Sequence, residues 1–222
     1  MRKKICFFSG DITRSGGTER VAIQLANALR KDHTYEICFL SLTEQREPPF
    51  YPLHPEISRD HLGERWIKPG PGYLPLIGKL RKFLKEQQID VIIDIDIVLD
   101  ALAIPATRGM KTKVVSWEHF NCEFEQKILY RRLISGLTAR FSDYIITLTE
   151  EDRENYRKIL GRKSRISAIY NIVPEMTRDE AVMRENWIVT AGRLTYQKGI
   201  EYLAKIAVPI LKKHPDWKWL VL

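Results

Sequence analysis

The chain has 222 residues, 44% of them hydrophobic and 29% charged, with a formal net charge of +8. That is the balance of an ordinary soluble globular protein, with enough chain for one large domain or two small ones. No apolar run approaches the ~20 residues needed to cross a bilayer. The opening run stops at Gly10-Asp11, too short for a secretory signal, and reads instead as a first buried strand. The positive charge suits an anionic partner: nucleotide phosphates, an anionic lipid surface or nucleic acid. Cys6, Cys38 and Cys122 match no metal or redox spacing, so they read as buried free thiols of a reducing compartment.

Residues 4–9 form the first strand candidate. They lead through a glycine-containing loop into a helix that starts at about Thr18. Its Val21, Leu25, Ala28 and Leu29 fall at i, i+4, i+7 and i+8, one apolar face. Residues 36–42 are the second strand. Residues 44–73 break the rhythm with six prolines and three glycines. They read as a loop holding one short strand near 57–62, and a loop this long in a compact domain is often functional. A helix near residue 80 follows, with Ile77, Leu80 and Leu84 on one face. Residues 91–96, 113–117, 144–148 and 166–170 are further strands, with helical stretches between most of them. Residues 171–185 are polar and charged and contain Pro174. The expected organisation is therefore a first domain over 1–172, a linker over 173–185 and a second domain over 186–222. The second opens with strand 187–191, a helix and strand 217–222. Alternating strands and helices, with near-continuous apolar strands, predict an α/β fold with a doubly wound parallel sheet. A lone strand–helix–strand unit cannot bury both faces of its sheet, so either the unit packs onto the first domain or, the favoured expectation, the chain is a fragment of a longer protein.

Two strand–turn–helix junctions offer chemistry. In the first, Gly16 and Gly17 let backbone approach a ligand, and the helix that follows presents free N–H groups and partial positive charge. A phosphate or diphosphate suits that place, and so does a purely structural tight turn. In the second, Arg193 lies just past a strand and Lys198 in the first turn of the next helix. A cation there opposes the helix dipole, which suggests an anion held between the two cations. Solvated surface charge is the alternative. Asp94 and Asp96 form a DxD triplet whose carboxylates share a strand face by period 2 and suit a divalent metal. Residues 78–85 and 127–134 mix cations with large apolar residues. They fit either peripheral contact with an anionic membrane or core-packed helices with a cationic edge. No basic recognition helix or aromatic–basic sheet motif appears, so nucleic acid is not an expected partner.

Five segments now converge on one resemblance. AGRLTYQKGIEYL (residues 191–203) is similar to the second-domain motif of the family 4 glycosyltransferases of GT-B fold. SGGTERVAIQLANAL (15–29) resembles that family's glycine loop and first helix, and VVSWEHFN (114–121) resembles the strand that presents a histidine. YIITLTEEDRENY (144–156) and IYNIVPE (169–175) match the end of the first domain, and all five come in family order. The resemblance implies two Rossmann-like domains, the second incomplete here, with a nucleotide-sugar donor on the second and a saccharide or lipid-linked saccharide acceptor on the first. It implies that Arg193 and Lys198 neutralise the donor diphosphate, that Gly16 and Gly17 face the diphosphate or the transferred sugar, and that His119 orients the sugar or stabilises charge. Glu19, Glu118 and Asn171 are further cleft-lining candidates. It implies retention, no cofactor and no metal, and a cytoplasmic protein that can sit on the inner face of the membrane. The family's glutamate pair lies beyond residue 222, so residues 1–222 alone are expected to be inactive. A nucleotide-binding regulatory module and a metal-dependent DxD transferase remain the rival expectations.

Overall fold

The structure, a computed structural model, describes residues 2–65, 70, 72–161, 165–173, 186–192 and 198–222. The chain divides into two compact units, Met1–Val173 and Pro174–Leu222.

The first unit is built on seven parallel strands in the order β3-β2-β1-β4-β5-β6-β7. They are β1 (Lys3–Ser9), β2 (Tyr35–Ser41), β3 (Ser58–His61), β4 (Val91–Ile95), β5 (Lys113–Trp117), β6 (Tyr144–Thr147) and β7 (Ile166–Ala168). The apolar runs that marked these strands in the sequence reflect burial on both faces. Alternate residues of β1 go opposite ways: Cys6 and Phe8 join Leu76, Leu80, Leu84 and Leu102 on one face. Ile5 and Phe7 join Val21, Ile23 and Ala26 on the other. The register Phe7↔Phe39 stacks the two rings with centroids 5.2 Å apart. Helix α1 (Gly17–Leu29) supplies the second of these faces. Helices α2 (Tyr73–Glu86) and α3 (Asp100–Thr107) supply the first.

Three more helices, α4 (Cys122–Gln126), α5 (Leu129–Phe141) and α6 (Glu150–Leu160), connect and cover β5 to β7. α6 begins cleanly. The Thr149 side chain accepts from the Asp152 N–H, acids fill the first turn, and Arg157 and Lys158 sit in the last. The chain winds outward from β1 to β3, then returns to start β4 on the other side of β1. That reversal sets a topological switch point at the carboxyl ends of β1 and β4, where open parallel sheets bind ligands.

The second unit contains β8 (Trp187–Thr190), α7 (Ile200–Lys213) and β9 (Lys218–Val221), with the two strands parallel. All three cysteines are buried and free. Among the described residues no helix is long and apolar enough to cross a membrane.

Candidate active site

Three loops meet the carboxyl edge of the first sheet on strands near the switch point. The glycine loop follows β1, Asp96 follows β4, and His119 follows β5.

The glycine loop is held from below. Asp11 and Thr13 are buried, and Asp11 Oδ1 accepts from the Thr13 N–H at 2.9 Å. The Thr13 hydroxyl in turn accepts from the N–H groups of Gln45 and Arg46 at 3.3 and 3.2 Å. The proline-rich segment flagged as a long loop supplies further ties: Phe50 N–H to Thr13 O at 3.1 Å and the Tyr51 hydroxyl to Ser15 O at 3.0 Å. These supports were not singled out in the sequence; only the unusual length of the proline-rich segment hinted at them. Gly16 is the N-cap of α1 and makes no side-chain cap, so the first-turn N–H groups lack a capping side chain. A Cβ built on Gly16 would collide with the Glu19 carboxylate, whereas one on Gly17 meets nothing within 4 Å. Glu19 lies 3.9 Å from Arg14 Nε.

His119 is half-buried, and its ring packs against Trp117 with centroids 4.5 Å apart. Burial pushes the imidazole down to about 4, so it is neutral at pH 7. Its Nε2 is buried without a hydrogen-bond partner. A neutral ring of this kind can exchange a hydrogen bond with a ligand; it does not bring a charge. Glu118 differs from the expectation of a lining residue. It is 1% exposed, and its carboxyl accepts from the Phe120 N–H at 2.8 Å and the Tyr156 hydroxyl at 2.6 Å. Asn171 is exposed, just past β7.

Asp94 and Asp96 do not share a face. Asp96 leaves strand geometry with φ 89°, a region strained for a non-glycine residue, so the period of 2 ends there. Its carboxylate accepts from Val98 N–H at 3.0 Å and lies 3.6 Å from Arg131 Nη2. Asp94 is fully buried. Burial, and then the neighbouring Asp100 carboxyl, push it well above the usual carboxylate range. Asp100 is also pushed up by burial, although it receives Ser116 and Thr138 hydroxyls. Burial thus favours the protonated forms of Asp94 and Asp100, and Asp94 lies in the core. Among the described residues no group of three His, Cys, Asp or Glu side chains is placed to hold a metal ion.

In the second unit Lys198 lies ahead of the α7 N-cap, Gly199, and not in the first turn. The left-handed Gly199 (φ 65°) intervenes, so the helix itself begins at Ile200. The Lys198 stem runs 3.8 Å from where a Cβ would stand on Gly192, so the amine chain lies against the carboxyl end of β8. Arg193 lies outside the described residues.

Residues 15–175 match the model of Glycosyltransferase Family 4. An uncharacterized glycosyltransferase of Haemophilus influenzae is 32% identical over 97% of this chain and 60% of its own length. The Campylobacter jejuni GalNAc-alpha-(1->4)-GalNAc-alpha-(1->3)-diNAcBac-PP-undecaprenol alpha-1,4-N-acetyl-D-galactosaminyltransferase is 27% identical over 92% of this chain and 56% of its own length. The chain thus spans about three fifths of the length of the curated relatives it matches. Among solved structures, Anabaena HepE in complex with UDP and glucose superposes with a TM-score of 0.72 at 16% identity, covering 97% of this chain and 60% of HepE.

Proposed function

Because the chain belongs to glycosyltransferase family 4, we propose that its protein moves a sugar from a nucleotide-sugar to an acceptor hydroxyl, with retention at the anomeric carbon. The observation that carries this reading is the family match across residues 15–175, which spans both the open glycine loop and the unpartnered His119. In the reaction the bond from the anomeric carbon to the donor phosphate oxygen breaks, and its electron pair leaves on the diphosphate. The acceptor oxygen bonds to the same carbon, and the acceptor proton leaves with the diphosphate. Negative charge grows on the diphosphate, so preorganised cations stabilise the transition state. Arg193 and Lys198 take that role. His119, neutral, accepts or donates one hydrogen bond to the sugar and so orients it. The Glu19 carboxylate would repel a diphosphate and suits sugar hydroxyls, so the transferred sugar is placed against Glu19 and Gly17.

The test is nucleoside diphosphate release by the full-length gene product from UDP-glucose, UDP-galactose, UDP-N-acetylglucosamine, ADP-glucose and GDP-mannose, with EDTA present. Release is expected to survive EDTA and to fall at least ~10²-fold in Arg193→Ala and in Lys198→Ala. Residues 1–222 alone are expected to release none. Release abolished by EDTA would return Asp94 and Asp96 to consideration. Absence of both binding and release would favour a regulatory module.

The acceptor is a saccharide or a lipid-linked saccharide, a reading supported by the undecaprenol-diphosphate substrate in the Campylobacter relative's name. Peripheral contact with the inner face of the membrane follows from that chemistry. α2 buries its apolar stripe, Tyr73, Leu76, Leu80 and Leu84. α5 buries only Ser135 and Thr138 and leaves Leu129 (63%) and Leu133 (67%) exposed beside Arg132. The α5 face is therefore the one assigned to anionic lipid. Co-sedimentation with phosphatidylglycerol vesicles at low salt is expected, and Leu129→Ser with Leu133→Ser is expected to weaken it several-fold. A protein that stays in the supernatant would remove the membrane contact.

A further inference from the structure

α6 turns one face toward the segment that carries His119. Asp152 and Tyr156 stand four residues apart, about one helical turn, and so share that face. Asp152 Oδ1 accepts from the backbone N–H of Cys122 at 3.1 Å. The Tyr156 hydroxyl donates to Glu118 Oε2 at 2.6 Å, and the other Glu118 oxygen accepts from the Phe120 N–H at 2.8 Å. One carboxyl group thus spans residue 119, and α6 grips the chain on both sides of it. Tyr156 is fully buried and Glu118 nearly so, a setting in which hydrogen bonds are strong and their loss is not repaired by solvent. The remaining freedom of the segment is small. The Glu118 N–H donates to Ile146 O at 2.8 Å, and the His119 ring rests on Trp117. No local sequence pattern requires a tyrosine 38 residues away to reach Glu118.

We propose that Asp152 and Tyr156 are positioning residues for His119, acting through the Cys122 amide and the Glu118 carboxyl to present the imidazole to the transferred sugar in one orientation. The inference rests on the reading of His119 as sugar-facing. A group that orders a sugar over the reacting carbon must be held to a fraction of an ångström, because a misplacement of about 1 Å can lower a rate ~10²-fold. The clamp supplies that restraint from a helix and not from the loop itself.

The experiment is a double-mutant cycle on the full-length gene product, reading diphosphate release from whichever of UDP-glucose, UDP-galactose, UDP-N-acetylglucosamine, ADP-glucose or GDP-mannose the wild type turns over fastest. Tyr156→Phe and Asp152→Ala are each expected to lower kcat at least ~10-fold, with KM for the donor within ~3-fold. In a His119→Ala background each should change kcat by less than ~2-fold, because the path they act through is gone. The His119 ring, followed by NMR, should titrate closer to the ordinary histidine value near 6.5 in Tyr156→Phe, as the imidazole leaves its buried seat. Equal losses in both backgrounds, or wild-type kcat in both clamp variants, would overturn the clamp and leave the role of His119 standing. A His119→Ala protein with the wild-type rate would overturn that role first. Should Tyr156→Phe fail to fold, Asp152→Ala, at a partly exposed position, carries the same cycle.

Discussion

Asp94→Asn is expected to raise the melting temperature by at least ~3 °C at about pH 8 and to leave it nearly unchanged at about pH 4. Asp94 and Asp100 are fully buried, and both carboxyls are pushed above the usual range by that burial. The folded state therefore keeps a proton that the unfolded chain releases. Its stability is fully present below the unfolded carboxyl value near 4 and declines as the pH rises toward the folded value. Each unit of elevation removes about 1.4 kcal/mol once the pH has passed it. A change of that size moves the melting point of a domain this large by ~2–4 °C. Asparagine imitates the protonated acid. It carries no charge into the core beside Asp100, which accepts from Ser116 at 2.8 and 2.7 Å and from Thr138. Asp100 can then ionise with two hydroxyl donors around it and no acid competing at residue 94. Thermal melts across the pH range check this. Curves for wild type and variant that run parallel would mean the pair does not hold the proton.

The same residues show how far the sequence could be read. The strands of the first sheet were legible because double cover demands apolar residues on both faces, as in residues 5–8 and 37–40. β3 was harder to read: its Ser58, Asp60 and His61 are exposed at the sheet edge, and only its place between turn residues marked it. Asp94 and Asp96 do not share the expected face because the period of 2 holds only while the backbone stays extended. At Asp96 it turns to φ 89°, and no residue type nearby announces that. Glu118 is a cleft-lining candidate in the sequence, as the neighbour of His119, yet it is buried. Its burial depends on Tyr156, and a contact across 38 residues leaves no local trace. Lys198 was placed in a helix that starts two residues later, at Ile200, because the left-handed Gly199 intervenes. The glycine loop was legible as a loop. Its anchorage was not, since Thr13 and Tyr51 come together only once the proline-rich segment has folded over it.

Gly17→Ala is expected to cut diphosphate release from the preferred nucleotide-sugar by about 10²-fold while leaving the melting temperature unchanged or slightly higher. Gly17 is the first residue of α1, and its φ is not in the left-handed region, so alanine fits the backbone. The new methyl meets nothing within 4 Å. Replacing glycine at such a compatible position stabilises by about 0.4–1 kcal/mol, through the lower entropy of the unfolded chain. Folding therefore gives no reason for a loss of activity. The reason must be a ligand that occupies the space above residue 17, and a displacement of about 1 Å at a reacting centre is enough for the effect. Gly16→Ala is a poorer probe: its methyl displaces the Glu19 carboxylate, so a loss there could come from Glu19 alone. Wild-type kcat/KM in Gly17→Ala would mean that the opening stays empty when the donor is bound. Gly17 would then serve only the entry into the helix, and the transferred sugar would have to lie elsewhere along the carboxyl edge.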